Sequence, residues 1–308
     1  MNEMKVALCF NIHYKNTLIK EKIWKEWVYY NRDIINIYFH YNQKTPIKSQ
    51  WIKKHIIPKN YLKETSYYYV VPALMSLLSF AYCDTSNKWF CLLTDSCVPM
   101  ISPKEFRNRF FHYYSYTIFR WYSPNWNIQY QKRANLFQLS EKYHLANDPW
   151  FIITRYDVLY CLKFTKNKMY KTITKGIIAN ESVFAIALAY FSRLQRVINK
   201  SSTLCDWTRM NSPTSPYIFK MNSNLEKDKK YILENDAIFL RKVHSSFPDK
   251  ILEDILYSSF KRTKYNEKDL SNVLYRSFQI NPYWFIFLIA ILLSYYFQFN
   301  GRMTLVRN

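Results

Sequence analysis

The stretch Trp89 to Met100, WFCLLTDSCVPM, carries an apolar run into a carboxylate, a hydroxyl and a thiol: Asp95, Ser96 and Cys97. These side chains could orient a ligand or exchange a proton. They could equally form the turn that Pro99 closes. Two other apolar runs end in the same manner. Lys5 to Phe10 leads into Asn11–His13, and Ile34 to Phe39 leads into His40, Tyr41 and Asn42. Open α/β sheets bind their ligands at strand tips of this kind, outside the carboxyl ends of the strands.

Other chemistries are excluded by what the sequence cannot write. Glycine occurs twice, at Gly176 and Gly301, so neither a GxGxxG dinucleotide loop nor a GxxxxGK phosphate loop exists. Six cysteines lie without a CxxC pair, and six histidines lack HxxxH or HExxH spacing. A zinc site is therefore not expected, and most of the thiols read as buried and free. No Asp-x-Asp pair, the usual clamp for a metal-bound nucleotide sugar, is present. Only Glu234-Asn235-Asp236 approaches it.

The strand tips need elements to position them. Lys5–Phe10 is a strand, and Leu18–Tyr29 carries Leu18, Ile19, Ile23 and Trp27 at helical spacing. Ile34–Phe39 completes a βαβ opening. Pro72 begins a helix with Ala73, Leu74, Leu77, Leu78 and Ala81 on one stripe. Asn108–Asn135 is aromatic and basic with little period, and reads as an excursion or lid. Trp150–Leu162 predicts a strand followed by a helix, and Glu181–Leu194 a helix capped by Asn180. Ser201–Phe219 reads as a loop, Asn224–Asn235 as a charged helix and Ala237–Arg241 as a final strand. Strands alternating with helices predict an α/β fold with a mainly parallel sheet covered on both faces.

The formal charge is +22, from 44 basic and 22 acidic residues, which suits anionic partners. An AT-rich genome writes the same surplus of Lys, Asn, Ile, Tyr and Phe, so the charge has two readings. Met1–Asn11 contains no long apolar run, and no signal peptide or anchor is expected there. Pro282–Phe299, PYWFIFLIAILLSYYFQF, has eighteen residues without a charge, with Trp284, Tyr295 and Tyr296 near its edges. It predicts a C-terminal transmembrane helix. Lys261, Arg262, Lys264, Lys268 and Arg276 precede it and Arg302 and Arg307 follow, which predicts a cytoplasmic body. The expected organisation is a catalytic-sized domain over 1–261, a basic linker over 262–281, a tail anchor over 282–299 and a short tail over 300–308.

Taken in order, KVALCFNIHYKNTLIKEKIWKEWV, INIYFHYNQ, ALMSLLSFAY with WFCLLTDSCVPM, WFIITRYDVL, NESVFAIAL, CDWTRMNSPTSPYIF and AIFLRKV resemble the core-2/I-branching glycosyltransferases. This is the Branch domain of glycosyltransferase family 14, and the similarity is closest to its plant branch. The resemblance spans about residues 4–255. It implies a GT-A-like fold, a UDP-N-acetylglucosamine donor, a glycan acceptor and inversion at the anomeric carbon, with neither metal nor cofactor.

By the same resemblance Glu181 matches the catalytic base, which takes the proton of the attacking hydroxyl. Lys242, with Arg241 beside it, matches the cation that holds the diphosphate. Asp95 matches a strand-end acid, and His40 and Asn42 align with a donor-contacting segment whose usual acid is asparagine here. Asp206 and Trp207 match a pair near the acceptor. Taken alone, a glutamate at a helix start often only answers the helix dipole, and Arg-Lys after a strand is often a solvated end. Departures from the family are the tyrosines of ETSYYYVVPAL, the glycines replaced by Met210, Asn211 and Ser212, and the tail span in place of an N-terminal anchor facing the Golgi lumen.

Asn180-Glu181-Ser182 and Asn199-Lys200-Ser201 are glycosylation sequons, and a glycan on Asn180 would crowd the expected base. Two rival readings remain. One is a catalytically inactive relative acting as a membrane interaction protein, motivated by the glycine losses and Asn42. The other is a basic nucleic-acid binder. Its basic residues are spread along the chain and no nucleic-acid motif is present, so no nucleic-acid partner is expected.

Overall fold

The computed structural model describes residues 3–257 apart from 13, 14, 213, 222 and 223. Two compact units divide the chain, Met1–Tyr265 and Asn266–Asn308. The expected linker, tail anchor and short tail lie outside the described residues, as does His13. Among the described residues no helix is long and apolar enough to cross a membrane.

The chain opens with β1 (Lys5–Asn11), α1 (Glu21–Tyr29), β2 (Ile35–His40), α2 (Gln50–Lys54), α3 (Val71–Cys83) and β3 (Asn87–Thr94). Next come β4 (Val98–Pro99), α4 (Pro103–Tyr113), β5 (Trp121–Tyr122), β6 (Ala146–Asn147), β7 (Ile152–Thr154), α5 (Arg155–Phe164) and α6 (Lys168–Lys175). The remainder is α7 (Val183–Tyr190), β8 (Thr203–Cys205), α8 (Leu225–Leu233), β9 (Phe239–Arg241) and α9 (Asp249–Tyr257). The main sheet has the order β2-β1-β3-β7, parallel except for β7 at its edge. This is the mainly parallel α/β arrangement the sequence predicts. A second sheet, β4-β9-β8, stands apart from it.

Residues Val6 to Phe10 of β1 are all fully buried, because the strand is covered on both faces. Alternate side chains serve the two sides. Phe10 packs at 4.9 Å against Trp24 of α1 and at 4.9 Å against Phe39. Ala7 and Cys9 join Leu74, Leu77 and Leu78 of α3 in the opposite core. The two α1 indoles also act as struts. Trp24 Nε1 donates to the Cys97 carbonyl and Trp27 Nε1 to that of Ile101, both at 2.9 Å. Each bond is worth about 1 kcal/mol net, and together they fix the segment that follows β3.

The structure corrects four local expectations. The excursion begins as α4, whose N-cap Ser102 accepts from the Glu105 amide with Pro103 in the first turn. That Ser-x-x-Glu pattern is a readable helix start. The Ser201–Phe219 loop contains β8. Glu181 precedes its helix, closing a 3₁₀ turn over Ala179–Glu181. Asn180 is accordingly no helix cap; it is buried, and its carbonyl accepts from Asn147 Nδ2 at 2.9 Å.

Candidate active site

Strand β9 is the middle strand of the small sheet, and its register assembles the site. Val98 pairs with Leu240 in the antiparallel direction, and Cys205 pairs with Arg241 in the parallel direction. The polar turn after β3, the end of β8 and the end of β9 therefore meet at one edge. Backbone bonds lock this edge: the Val243 amide donates to Ser96 O and the Phe219 amide to Lys242 O, both at 3.0 Å. On the main sheet, Asn11 is level with His40 on one side and Thr94 on the other. The strand tips thus gather as expected.

Arg241 is the hub of the cationic edge. Its guanidinium lies 5.3 Å from the centroid of the Trp150 ring, and its charge lowers the pKa of the Cys205 thiol. Its Nε is buried without a partner among the described residues. Burial pushes the Cys97 thiol up to about 12 and that of Cys205 up to about 11, against the pull of Arg241. Both thiols are neutral at physiological pH and leave the arginine charge uncancelled. Lys242 is pushed below the usual lysine range by burial and by Arg241, while Asp95 pulls the other way. The Asp95 carboxylate also accepts from the Thr94 hydroxyl at 2.9 Å.

Glu181 belongs to the same electrostatic neighbourhood. Burial raises its pKa, Arg133 and Arg241 pull it back down, and Asp148 raises it further. Arg133 Nη1 lies 3.3 Å from Glu181 Oε2. Asp148 is raised by burial as well, opposed by the Ser201 hydroxyl, which donates at 2.5 Å, and by Arg120 at 3.9 Å. A carboxylate whose pKa is raised in this way is a stronger base than a solvated glutamate and is better suited to take the proton of an attacking hydroxyl.

The other expected residues divide into two groups. His40 is fully buried, and its Nε2 accepts from the Lys63 amide at 2.9 Å. Burial drives its pKa down to about 4. It is a neutral structural histidine with no surface for a donor. Asn42 Oδ1 accepts from the Lys44 amide at 2.9 Å and shapes a turn. Asp206 is fully buried too. Burial would raise its pKa, but bonds from Thr208 and Arg209 prevail and hold it below the usual range. It organises the loop after β8, because Arg209 also reaches Asp228 at 2.7 Å. Trp207, the next residue, is 48% exposed and free to meet a sugar face. Reasoning from sequence did not find Arg133, Asp148, Trp126 or Trp150.

Among the described residues no group of three His, Cys, Asp or Glu side chains forms a cluster able to hold a metal ion. No curated protein matches the chain. The model of the core-2/I-branching enzyme family matches residues 8–228, a shorter span than the motifs suggest. Glu181, Asp95 and Trp207 fall within it, whereas Arg241 and Lys242 lie beyond its end and are placed at the site by strand register alone. The chain belongs to the core-2/I-branching enzymes, a family of glycosyltransferases.

Proposed function

We propose that this chain is an inverting glycosyltransferase that moves N-acetylglucosamine from UDP-N-acetylglucosamine to a hydroxyl of a glycan acceptor. Glu181 is the base. The acceptor oxygen bonds to the anomeric carbon as the bond from that carbon to the diphosphate breaks, and the acceptor proton passes to Glu181. The electron pair leaves with UDP, and Arg241 and Lys242 meet the charge that grows on it. A well-placed donor of this kind contributes about 3 kcal/mol. Two fixed cations supply what a divalent ion supplies elsewhere, so the proposed reaction uses no metal.

The observation that carries the reading is the coupling of the half-buried, pKa-raised Glu181 to Arg241, which shares a strand end with Lys242. Asp95 orients the lysine, and Trp207 offers its exposed face to the acceptor. His40 and Asn42 keep the strand tips in shape. The apolar segment Pro282–Phe299 is proposed to anchor the chain in a membrane, with the body on the cytoplasmic side by charge bias.

The test uses the full chain, UDP-N-acetylglucosamine and a panel of oligosaccharide acceptors, following UDP release and the anomeric configuration of the product. The expected product is β-linked, and Glu181→Gln lowers the rate by about a thousandfold or more. Donor binding without turnover in both proteins would identify an inactive relative instead.

A further inference from the structure

Glu181 is gripped from a segment distant in sequence. Residues 132–134 lie beside residues 176–178 as a short parallel bridge. The Ala134 amide donates to Ile177 O at 2.9 Å and the Ile177 amide to Lys132 O at 3.2 Å. Asn135 Nδ2 adds a bond to Thr172 O at 3.0 Å. The contact is as close as backbones allow. A Cβ on Gly176 would lie 2.4 Å from the Asn135 nitrogen and 2.7 Å from the Ala134 carbonyl carbon, so only glycine fits.

Strain gathers at the same junction. Ala134, Asn135 and Ile178 take left-handed φ values of 51°, 48° and 52°. Such conformations are costly for residues with a side chain, most of all for a β-branched one, and persist where surrounding bonds over-determine them. The Ile178 amide donates to Tyr68 O at 2.9 Å, and its carbonyl accepts from the Glu181 amide at 3.1 Å. The strained strap and the turn bearing Glu181 are therefore one rigid piece. Arg133 projects from it with its guanidinium 5.0 Å from the Trp126 ring centroid and its Nη1 on Glu181.

We propose that Arg133, laid against Trp126 and carried on a strap that Gly176 alone allows, is the positioning residue that aims Glu181 and keeps it ionised before substrate arrives. The proposal rests on Glu181 as base. Arg133 pairs with the carboxylate directly, while Arg241 acts on it from the end of β9, beside the Trp150 ring. The charged groups facing Glu181 are Arg133 on the strap, Arg241 on β9 and Asp148 after β6. Tyr122 of β5, raised to about 12 mainly by burial, also senses both acids together with Arg120 and Arg133. Arg133 is thus one of two cations offsetting burial and a second carboxylate.

The test is a titration that needs no substrate. Full-length protein carrying 13C at the glutamate carboxyl is followed against pH, with the Glu181 signal assigned by its absence in Glu181→Gln. In Arg133→Met the Glu181 midpoint is expected to rise by about one pH unit or more, the shift an adjacent opposite charge produces. Arg133→Lys restores most of it. Gly176→Ala, which alters neither charge, is expected to move the midpoint in the same direction by displacing the strap. The acidic limb of UDP release from UDP-N-acetylglucosamine follows the midpoint in each variant. An unchanged Glu181 midpoint in a folded Arg133→Met protein overturns the proposal, and this variant decides even where Gly176→Ala does not fold. A shifted midpoint with full activity in Glu181→Gln leaves the electrostatic coupling standing and removes the assignment of the base.

Discussion

Cys205 and Arg241 are level with each other on adjacent parallel strands, and burial keeps the thiol beside the arginine neutral. This pairing leaves the arginine charge uncancelled, to act on Glu181. It also places Trp207 two residues beyond the same strand end.

Arg241→Met is expected to lower kcat by about a hundredfold to a thousandfold, the cost of losing one donor to charge in the transition state. Acceptor KM stays near wild type. Steady-state kinetics on UDP-N-acetylglucosamine measure both. A loss confined to acceptor KM would place Arg241 outside the diphosphate site.

Glu181 has a stability signature opposite to that of a stabilising carboxylate. Its folded pKa lies above the unfolded value, so the native state is favoured at low pH and this favour is lost as pH rises through the folded pKa. Glu181→Gln is therefore expected to melt above wild type at pH 8, with the difference shrinking as the pH approaches 4. Thermal melts at several pH values check the sign.

His40 acts in the other direction. Its folded pKa of about 4 lies below the usual 6.5, so its contribution is complete above pH 6.5 and lost as pH falls from there toward 4. The shift corresponds to roughly 3 kcal/mol. His40→Gln is expected to flatten the fall in denaturation midpoint over this window, and an unchanged slope would show that His40 is not buried neutral.

Asp206 and Trp207, adjacent in sequence, are expected to separate cleanly. Asp206→Ala removes the buried partner of Arg209 and costs about 3 kcal/mol in urea unfolding. Trp207→Ala leaves stability within about 0.5 kcal/mol, as surface substitutions do, and raises acceptor KM. A large stability loss in Trp207→Ala would contradict its role as an open sugar platform.

The main sheet was readable because KVALCF, IINIYF and WFCLL are compact apolar runs with clear turns after them. Glu181, Asp95 and Trp207 stand out as candidates only through the order of motifs, since no local pattern distinguishes them from a helix start, a turn acid or a loop aromatic. β8 escaped because three residues, Thr203–Cys205, are too few to show a period. Arg133 escaped because its partner is 48 positions away, and long-range pairing leaves no local trace. One signal was present: in a chain almost without glycine, Gly176 marks the place where another backbone must come close. His40 and Asp206 carried the right chemistry for a site, but burial turned both into structural supports.

The central claim is that two fixed cations, Arg241 and Lys242, replace a divalent metal, and the initial rate of UDP release in excess EDTA tests it most directly. The account predicts a rate equal to that in magnesium or manganese, with Glu181→Gln inactive under all three conditions. A rate that collapses on chelation and returns with added metal would contradict it.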